Sequence, residues 1–398
     1  VLVKTKGGQK GKVTVSYNGY VGFNQATELP EMCDSWEYAE LYNKAMGKEV
    51  YSAEEIQKYK DGSDPYNYPN EHYLDKLLGN KGLQTGHELT VNGGNDKTQY
   101  MVSFGYVKQN GLMEHNHYDR YNGRVNLTTE LAKNLTLTTR LGGVVSKRSE
   151  PSTPGGMDSA GFKAFSSNAL RFPGLWATKL EDGSYGLGPK VLGTPLAWLD
   201  SGSFYDENFD KFRSNVELAF TPVKGLTLKA IGGYNYTGQQ IRHYRSAMEI
   251  TGGKKLGPSS LSDTMYKTVY KTFQALADYN VKFSKNDLSV LVGYTWEDES
   301  QNFPSDEVPY LNAGGADGQT NSGGGYDWAI MSVFGRLTYN YDQRYLFETT
   351  MRYDGSSRFP TDNKFGFFPS VAVGWRLSEE QFFKEAESLS FIDNLKLK

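Results

Sequence analysis

The sequence has one cysteine, Cys33, among its 398 residues. A single cysteine excludes an intrachain disulfide and leaves a cysteine-based metal site almost without ligands. The charges nearly balance, with 43 Lys and Arg against 46 Asp and Glu, whereas a nucleic-acid-binding protein needs a basic surface. No apolar run reaches the roughly 18 residues of a membrane-spanning helix. The lack of such runs does not exclude a transmembrane β-barrel, because its strands alternate apolar and polar residues.

Period-two alternation of apolar and polar residues is the dominant pattern of the chain. Many alternating segments exceed the roughly 5–6 residues of an average globular strand, and a strand tilted across a bilayer needs about 9–11. The pattern therefore predicts about a dozen long strands. The predicted strands are 12–23, 86–93, 98–107, 120–131, 134–146, 211–220, 226–236, 269–283, 288–296, 327–341, 344–354 and 369–377.

Charged side chains occupy the polar faces of these strands, and aromatic side chains close the apolar faces. Aromatic residues at strand ends are typical of the girdles of a membrane barrel, whereas a sandwich places them in its core. The charged residues are Arg124, Glu130, Arg140, Glu217, Lys229, Asp278, Glu348 and Arg352. The closing aromatics are Tyr234, Tyr236, Tyr279, Tyr294, Trp296, Tyr339, Tyr341, Tyr353 and Trp375.

The connections alternate strictly between short turns and long loops. Five turns of a few residues separate long segments at 24–85, 108–119, 147–210, 238–266, 297–326 and 355–368. An up-and-down barrel in an outer membrane has this parity, with short periplasmic turns and long external loops. We therefore predict an all-β, antiparallel, up-and-down transmembrane barrel with long structured external loops. A soluble or surface β-sandwich adhesin is the alternative, although a Greek-key sandwich has no reason to keep the parity.

Some loop segments carry helix signals. Ser52 and Glu55 form a capping box, and Gly62 ends the helix that follows. Segment 34–45 has the apolar spacing of an amphipathic helix, and 378–383 is typical of a short helix on the periplasmic side. The loops are therefore expected to fold and to carry function.

The chain offers few candidates for chemistry. His115 and His117, near Glu114 and Asp119, have plausible ligand spacing but no further His or Cys partner, which favours a solvated loop. An acidic group in one loop lacks the spacing of an EF-hand; its members are Asp200, Asp206, Glu207 and Asp210. No nucleophile elbow or phosphate-binding loop is present. We therefore expect no catalytic, cofactor or metal residues, and no enzyme.

Aromatic residues predicted to lie in the loops are the candidates for contact with a substrate or a partner protein. Aromatic faces stack on sugar rings and peptide side chains, and protein interfaces bury them. Packing inside the loops is the competing interpretation for any one of them. The candidates are Trp36, Tyr66, Tyr68, Trp176, Tyr185, Trp198, Tyr205, Tyr310 and Tyr326.

Several motifs, in order along nearly the whole chain, resemble one family. The most specific is Arg352, Tyr353, Asp354, Gly355, Ser356, Ser357, Arg358 and Phe359, followed by 365–376 with Gly374 and Trp375. It resembles the SusC/RagA-like TonB-linked outer-membrane proteins (TonB-dependent transporters) of Bacteroidota. Segment 1–8 is similar to the end of their plug domain, 15–20 to their first barrel strand, 36–45 to their first external loop and 92–100 to their first periplasmic hairpin.

The resemblance implies a 22-stranded outer-membrane barrel with an internal plug, of which this chain is a fragment. Residues 1–8 are expected to end the plug domain and 9–398 to form the N-terminal part of the barrel, about 12 of the 22 strands, with a thirteenth begun. Such proteins import glycans, oligosaccharides or peptides, powered by TonB. A SusD-like lipoprotein forms a lid over the barrel. A TonB-dependent receptor for an iron chelate remains an alternative, since its barrel has the same periodicity.

Overall fold

One open antiparallel sheet of thirteen strands dominates the computed structural model, which describes residues 7–157, 161–308, 311–312, 315–316, 320–386 and 391–398. Each strand pairs with the next along the chain, as in an up-and-down barrel wall. The strands are β1 (Gly11–Asn24), β2 (Gly82–Gly94), β3 (Thr98–Asn110), β4 (His117–Ala132), β5 (Leu135–Pro151), β6 (Phe204–Val223), β7 (Leu226–Arg245), β8 (Ser260–Phe283), β9 (Asn286–Val308), β10 (Thr320–Tyr341), β11 (Tyr345–Ser356), β12 (Phe365–Arg376) and β13 (Lys396–Leu397).

The strand order confirms the predicted antiparallel architecture. The twelve alternating segments lie in β1 to β12, and β13 pairs only through Leu397 and Lys396. From β1 to β12, short turns close one end of the hairpins and longer loops the other, so the predicted parity holds over these strands. The connection from β12 to β13, residues 377–395, is a long one on the short-turn side. The described part of the sheet is not closed: β1 and β13 do not pair with each other.

Several strands are longer than predicted. β8 begins at Ser260 instead of 269 and β9 ends at Val308 instead of 296, so these two strands have 24 and 23 residues. Their pairing continues without a break from Phe283 opposite Asn286 to Thr268 opposite Gln301. The added residues are mostly polar on both faces. Hydrophobic alternation therefore ends where the apolar environment ends, while the backbone ladder continues beyond it.

The register confirms two chemically different faces, because directly opposed residues on antiparallel strands share a face. On one face, Val371 and Val373 are 65% and 64% exposed. All nine predicted girdle aromatics share this apolar face, for example Tyr294 opposite Val333 and Trp375 opposite Tyr345. The other face is polar. Such a wall turns its apolar side to lipid and its polar side to a lumen.

Buried apolar packing is concentrated in the loops, not in the sheet. The five largest fully buried side chains all come from the long loops; they are Trp198, Tyr73, Phe165, Leu77 and Ile250. They belong to one core cluster that joins the loops 25–81, 111–116, 152–203 and 246–259. We call this unit the loop body. A sheet whose two faces meet lipid and lumen has no core of its own, so the loop body supplies the globular packing.

Short helices build the loop body. They are α1 (Ser35–Met46), α2 (Ala53–Asp61), α3 (Tyr73–Leu78), α4 (Gly161–Arg171) and α5 (Pro195–Leu199). The Ser52 hydroxyl accepts from the Glu55 backbone amide at 3.2 Å, and the Glu55 carboxylate accepts from the Ser52 amide at 2.8 Å. Gly62 ends α2 at a φ of 64°, which favours glycine. The capping box and both helices of the first loop are thus confirmed.

The short helix predicted at 378–383 is present as two pieces. A 3-10 turn covers Leu377–Glu379, and α6 covers Gln381–Lys384. Both lie beyond β12, on the side of the short turns. No described helix is both long and apolar enough to cross a membrane.

Candidate functional site

The exposed loop aromatics of the prediction lie on the loop body. Tyr66 is 45% exposed and Trp176 is 37% exposed. Trp36, in the first turn of α1, is half-buried. The Tyr73 hydroxyl donates a short hydrogen bond to the backbone carbonyl of Trp176, which ties two loops together. These side chains can therefore offer aromatic surface from a rigid support.

Tyr68 belongs to a run of five tyrosines that crosses the first loop. Neighbouring ring centroids are 5.2–6.4 Å apart along the run. Its members, in order of contact, are Tyr38, Tyr42, Tyr51, Tyr59 and Tyr68. At the fourth tyrosine of the run, burial raises the pKa of Tyr59 to about 12. The run packs α1 and α2 against segment 64–69, which has two prolines and also contains Tyr66.

Trp198 does not offer surface to a ligand. It is fully buried in the loop body, and its indole N–H donates to the Leu192 carbonyl at 2.6 Å. Its ring packs against Phe165 and Phe172 at 6.1 and 6.0 Å between centroids. Internal packing is therefore the correct interpretation for this residue. Tyr185 is half-buried at the edge of the same core.

Two further candidates lie in strands rather than in loops. Tyr326 is in β10 and 46% exposed, and Tyr205 is in β6. The prediction placed both in loops because their polar surroundings hide the strand extensions. The ring of Tyr205 makes a cation–π contact within the sheet, with the Arg148 guanidinium 5.6 Å from its centroid. Tyr310 lies outside the described residues.

The family motif forms the long-loop end of β11 and the loop that follows it. Arg352 and Asp354, both on the polar face, form a two-point ion pair with distances of 3.2 and 3.1 Å. The Ser357 amide donates to the Ala329 carbonyl at 2.9 Å, and the Ala329 amide donates to the Ser357 hydroxyl at 2.8 Å. The hydrogen bonding between β10 and β11 therefore continues one residue beyond β11, to Ser357 in the loop.

The motif glycines serve close packing. A Cβ on Gly355 would lie 2.2 Å from the Phe365 ring, so no larger residue fits without displacing that ring. Tyr353 stacks on the same ring at 5.1 Å. At the opposite end of β12, a Cβ on Gly374 would lie 3.1 Å from the Lys396 side chain. The Trp375 indole donates to Glu380 at 3.0 Å, and Arg344 contacts the other oxygen at 2.9 Å.

The motif lines a cavity of about 540 Å³ on the polar face. Arg352, Asp354 and Phe359 line it together with Glu297 of β9. The Arg358 guanidinium lies 5.1 Å from the ring centroid of Trp328, a cation–π contact. The motif therefore shapes the lumenal surface near the long loops.

Sequence reasoning missed a row of aromatic and acidic residues beside this cavity. Tyr270, Glu299 and Trp328 are directly opposed across β8, β9 and β10. Tyr270 donates to Glu297 at 2.8 Å, and Trp328 donates to Glu299 at 3.2 Å. Glu297 and Glu299 lie in the part of β9 beyond its predicted end at 296. Only the register, which aligns residues about 30 positions apart, brings them together.

The histidine and acidic groups considered for metals do not converge. Among the described residues, no three His, Cys, Asp or Glu side chains are grouped so that they could hold a metal ion. Asp206 and Glu207 are in β6, where each has a cationic partner on β5: Lys147 at 3.7 Å and Arg148 at 3.1 Å. His115 lies in the loop before β4, whereas His117 and Asp119, which were predicted to lie in the same loop, are in β4.

The fold and its faces define the wall of an outer-membrane β-barrel with a folded loop body on its long-loop side. A family model described as "TonB dependent receptor-like, beta-barrel" matches residues 157–391, more than half of the chain. The chain belongs to this family of outer-membrane proteins.

Curated relatives and solved structures agree with this assignment. The TonB-dependent receptor P3 of Formosa agariphila is 26% identical over 98% of this chain, and so is the TonB-dependent receptor SusC of Bacteroides thetaiotaomicron. The RagAB peptide importer in its open-open state matches 96% of this chain with a TM-score of 0.73 at 20% identity, which supports the fold. The chain spans 38–39% of the two curated relatives and 46% of the RagAB chain.

Proposed function

We propose that this chain is the N-terminal part of the barrel of a TonB-dependent importer of oligosaccharides or peptides that works with a SusD-like lipoprotein lid. The domain division follows the prediction, with residues 1–8 ending a plug domain and 9–398 forming barrel wall and loops. TonB would engage a plug-side segment that lies outside this chain. The substrate would be captured between lid and loops and then pass through the lumen. We propose no role for covalent chemistry, a cofactor, a metal or nucleic acid in this transport.

The loop body is the observation that carries this proposal. External loops of a simple pore need no core of their own, whereas here four loops share one with Trp198 fully buried at its centre. A packed, rigid loop body suits a docking platform, because preorganised surface lowers the entropic cost of binding. Trp36, Tyr66, Tyr68, Trp176, Tyr185 and Tyr326 remain the proposed contacts for lid or substrate. Among them, Tyr66 and Trp176 are exposed and lie in loops that this core joins.

An uptake assay in the native host tests the proposal. Cells that lack the full-length protein should fail to take up a labelled oligosaccharide or peptide on which the wild type grows. The double variant Tyr66→Ala/Trp176→Ala in the full-length protein should lower uptake at least tenfold, because both rings lie on the proposed contact surface.

A matched control uses exposed aromatics of the lipid-facing strand surface outside the motif, Phe104→Leu/Phe220→Leu, which should leave uptake within about twofold. A growth defect confined to iron-limited medium would instead favour an iron-chelate receptor. Unchanged uptake in the Tyr66/Trp176 double variant would contradict the proposed contact surface.

A further inference from the structure

The polar face carries a row of cations that the architecture does not explain. Arg124 of β4 is directly opposite Gly142 of β5, and Gly142 is directly opposite Arg213 of β6. Strands in a sheet are about 4.8 Å apart, so the two arginine backbones lie about 10 Å apart across the glycine. The row therefore has two guanidinium groups that flank a position without a side chain.

The gap at Gly142 is open. A Cβ built there would have its nearest neighbour at 3.9 Å, the Gly123 carbonyl oxygen. The row forms part of a cavity of about 490 Å³, into which Arg120 and Lys211 also project from neighbouring rows. The cavity thus brings four cationic side chains to one place on the lumenal face.

These four cations have no counter-ions in the described structure. Among the described residues that line the cavity, Glu88 is the single carboxylate, and it pairs with none of them. Further along the wall, towards the short turns, the cations are paired: Arg140 of β5 lies 3.7 Å and Lys229 of β7 lies 3.8 Å from Glu217 of β6. The cluster is therefore a local charge excess in a chain whose total charge is nearly balanced.

We propose that this cationic cavity binds carboxylates of the imported substrate, so that the transporter selects acidic oligomers. This inference rests on the proposed function. Two guanidinium groups on either side of an open position can each make paired hydrogen bonds to a carboxylate, the geometry in which arginine binds anions best. Lys211 and Arg120 add positive electrostatic potential but no paired hydrogen bonds. This potential attracts an acidic oligomer along the wall.

The level of the cavity favours a substrate over a purely structural role. Arg213 is the neighbour in sequence of Phe212, whose side chain is on the apolar face. Phe212 contacts Tyr234, one of the aromatic residues that close the apolar face on the long-loop side. Tyr118 and Arg120, which also line the cavity, are the second and fourth residues of β4, so the cavity reaches the end of the wall nearest the loop body. Tyr118 and Phe209 also line it and supply apolar surface beside the charges.

Calorimetric binding to the full-length transporter–lipoprotein complex in detergent tests this inference. The probes are trigalacturonate and triglutamate as acidic oligomers, with maltotriose and triglutamine as neutral counterparts. At low ionic strength, at least one acidic probe should bind tighter than about 1 mM and at least tenfold tighter than its neutral counterpart. Its affinity should fall with added salt. The two acidic probes also distinguish a saccharide from a peptide source.

Charge-removal variants locate the site. The double variant Arg124→Gln/Arg213→Gln should weaken the acidic probe at least tenfold and leave any binding of neutral probes unchanged. The matched control Arg140→Gln/Lys229→Gln removes the same charge from the same wall at paired positions and should change affinity less than twofold. Gly142→Leu fills the gap without removing charge and should also weaken the acidic probe. Heat-modifiable electrophoretic mobility checks that each variant is folded.

Three results overturn the inference: no acidic probe binds below about 1 mM, the acidic and neutral probes bind equally, or the control variant loses as much as the test variant. Loss of protease protection of the plug domain in the Arg124/Arg213 variant, with unchanged binding of acidic probes, would assign the cations to the plug instead. Each of these leaves the proposed import intact if labelled substrate is still taken up. Absence of any dependence of uptake on the transporter would refute the proposed function itself.

Discussion

At the residue scale, burial separates aromatic side chains that the sequence treats alike. Trp198 and Trp176 both lie in one polar, Gly-rich loop, yet Trp198 is fully buried and Trp176 is 37% exposed. The difference arises because Trp198 packs against Phe165 of α4 and shares a core with Ile250. Ile250 lies more than 50 residues further along, in a short hairpin that pairs Met248–Ile250 with Lys254–Leu256. Local sequence contains no signal for such a contact. The loop aromatics could therefore be found from the sequence, but their roles could not.

The tyrosine run leads to a prediction about alkaline pH. Burial raises the pKa of Tyr59 to about 12, so the folded state keeps this phenol protonated where an unfolded chain ionises it near pH 10. Its contribution to stability is complete below pH 10 and is lost as the pH rises to about 12. Tyr73, only 2% exposed, has its pKa raised in the same direction by burial.

Difference absorbance of tyrosinate at about 295 nm measures this titration. Subtracting the curve of the Tyr59→Phe variant from that of the full-length wild type should isolate a step centred near pH 12. The same subtraction in concentrated guanidinium chloride should move the step to about pH 10, because the chain is then unfolded. A step near pH 10 in the native protein would show that the run does not bury Tyr59.

At the element scale, each strand combines an apolar band that the sequence reveals with an extension that it does not. The alternation of β12 was predicted over 369–377, which includes Val371 and Val373, whereas the strand begins four residues earlier, at Phe365, and ends at Arg376. In β8 and β9 the polar extensions escaped detection, because there the backbone ladder persists while both faces meet water. Turn parity was predictable, since it needs only strand order. Register across distant hairpins, which creates the Tyr270, Glu299 and Trp328 row, was not.

A pair of arginine substitutions on adjacent residues tests the facing of β12. Val371→Arg places a charge on the apolar face, which costs about 2–4 kcal/mol near the middle of a bilayer. Ala372→Arg places the same charge on the polar face, directly opposite Glu348. We expect the Val371 variant of the full-length protein to lose most of its folded, heat-modifiable population in the outer membrane, and the Ala372 variant to keep it. Equal loss in both variants would contradict the assignment of the two faces.

At the scale of the whole molecule, the wall is uneven in height and in charge. β6 to β10 have 20–24 residues, whereas β11 and β12 have 12. The loop body stands on the long-loop side. Below it the cationic cavity lies on β4 to β6, and the aromatic and acidic row lies on β8 to β10. The proposed importer would use the loop body to capture substrate above a lumen whose chemistry changes along the wall, whereas a passive pore needs neither feature.

Purification of the full-length protein from the outer membrane of its host tests the central claim most directly. The membrane is dissolved in mild detergent, the protein is isolated through a tag, and mass spectrometry identifies and quantifies what accompanies it. The account predicts a lipoprotein in equal stoichiometry, lost when Tyr66 and Trp176 are both replaced by alanine. A barrel that carries no lipoprotein, or a protein that is soluble without detergent, would contradict the account.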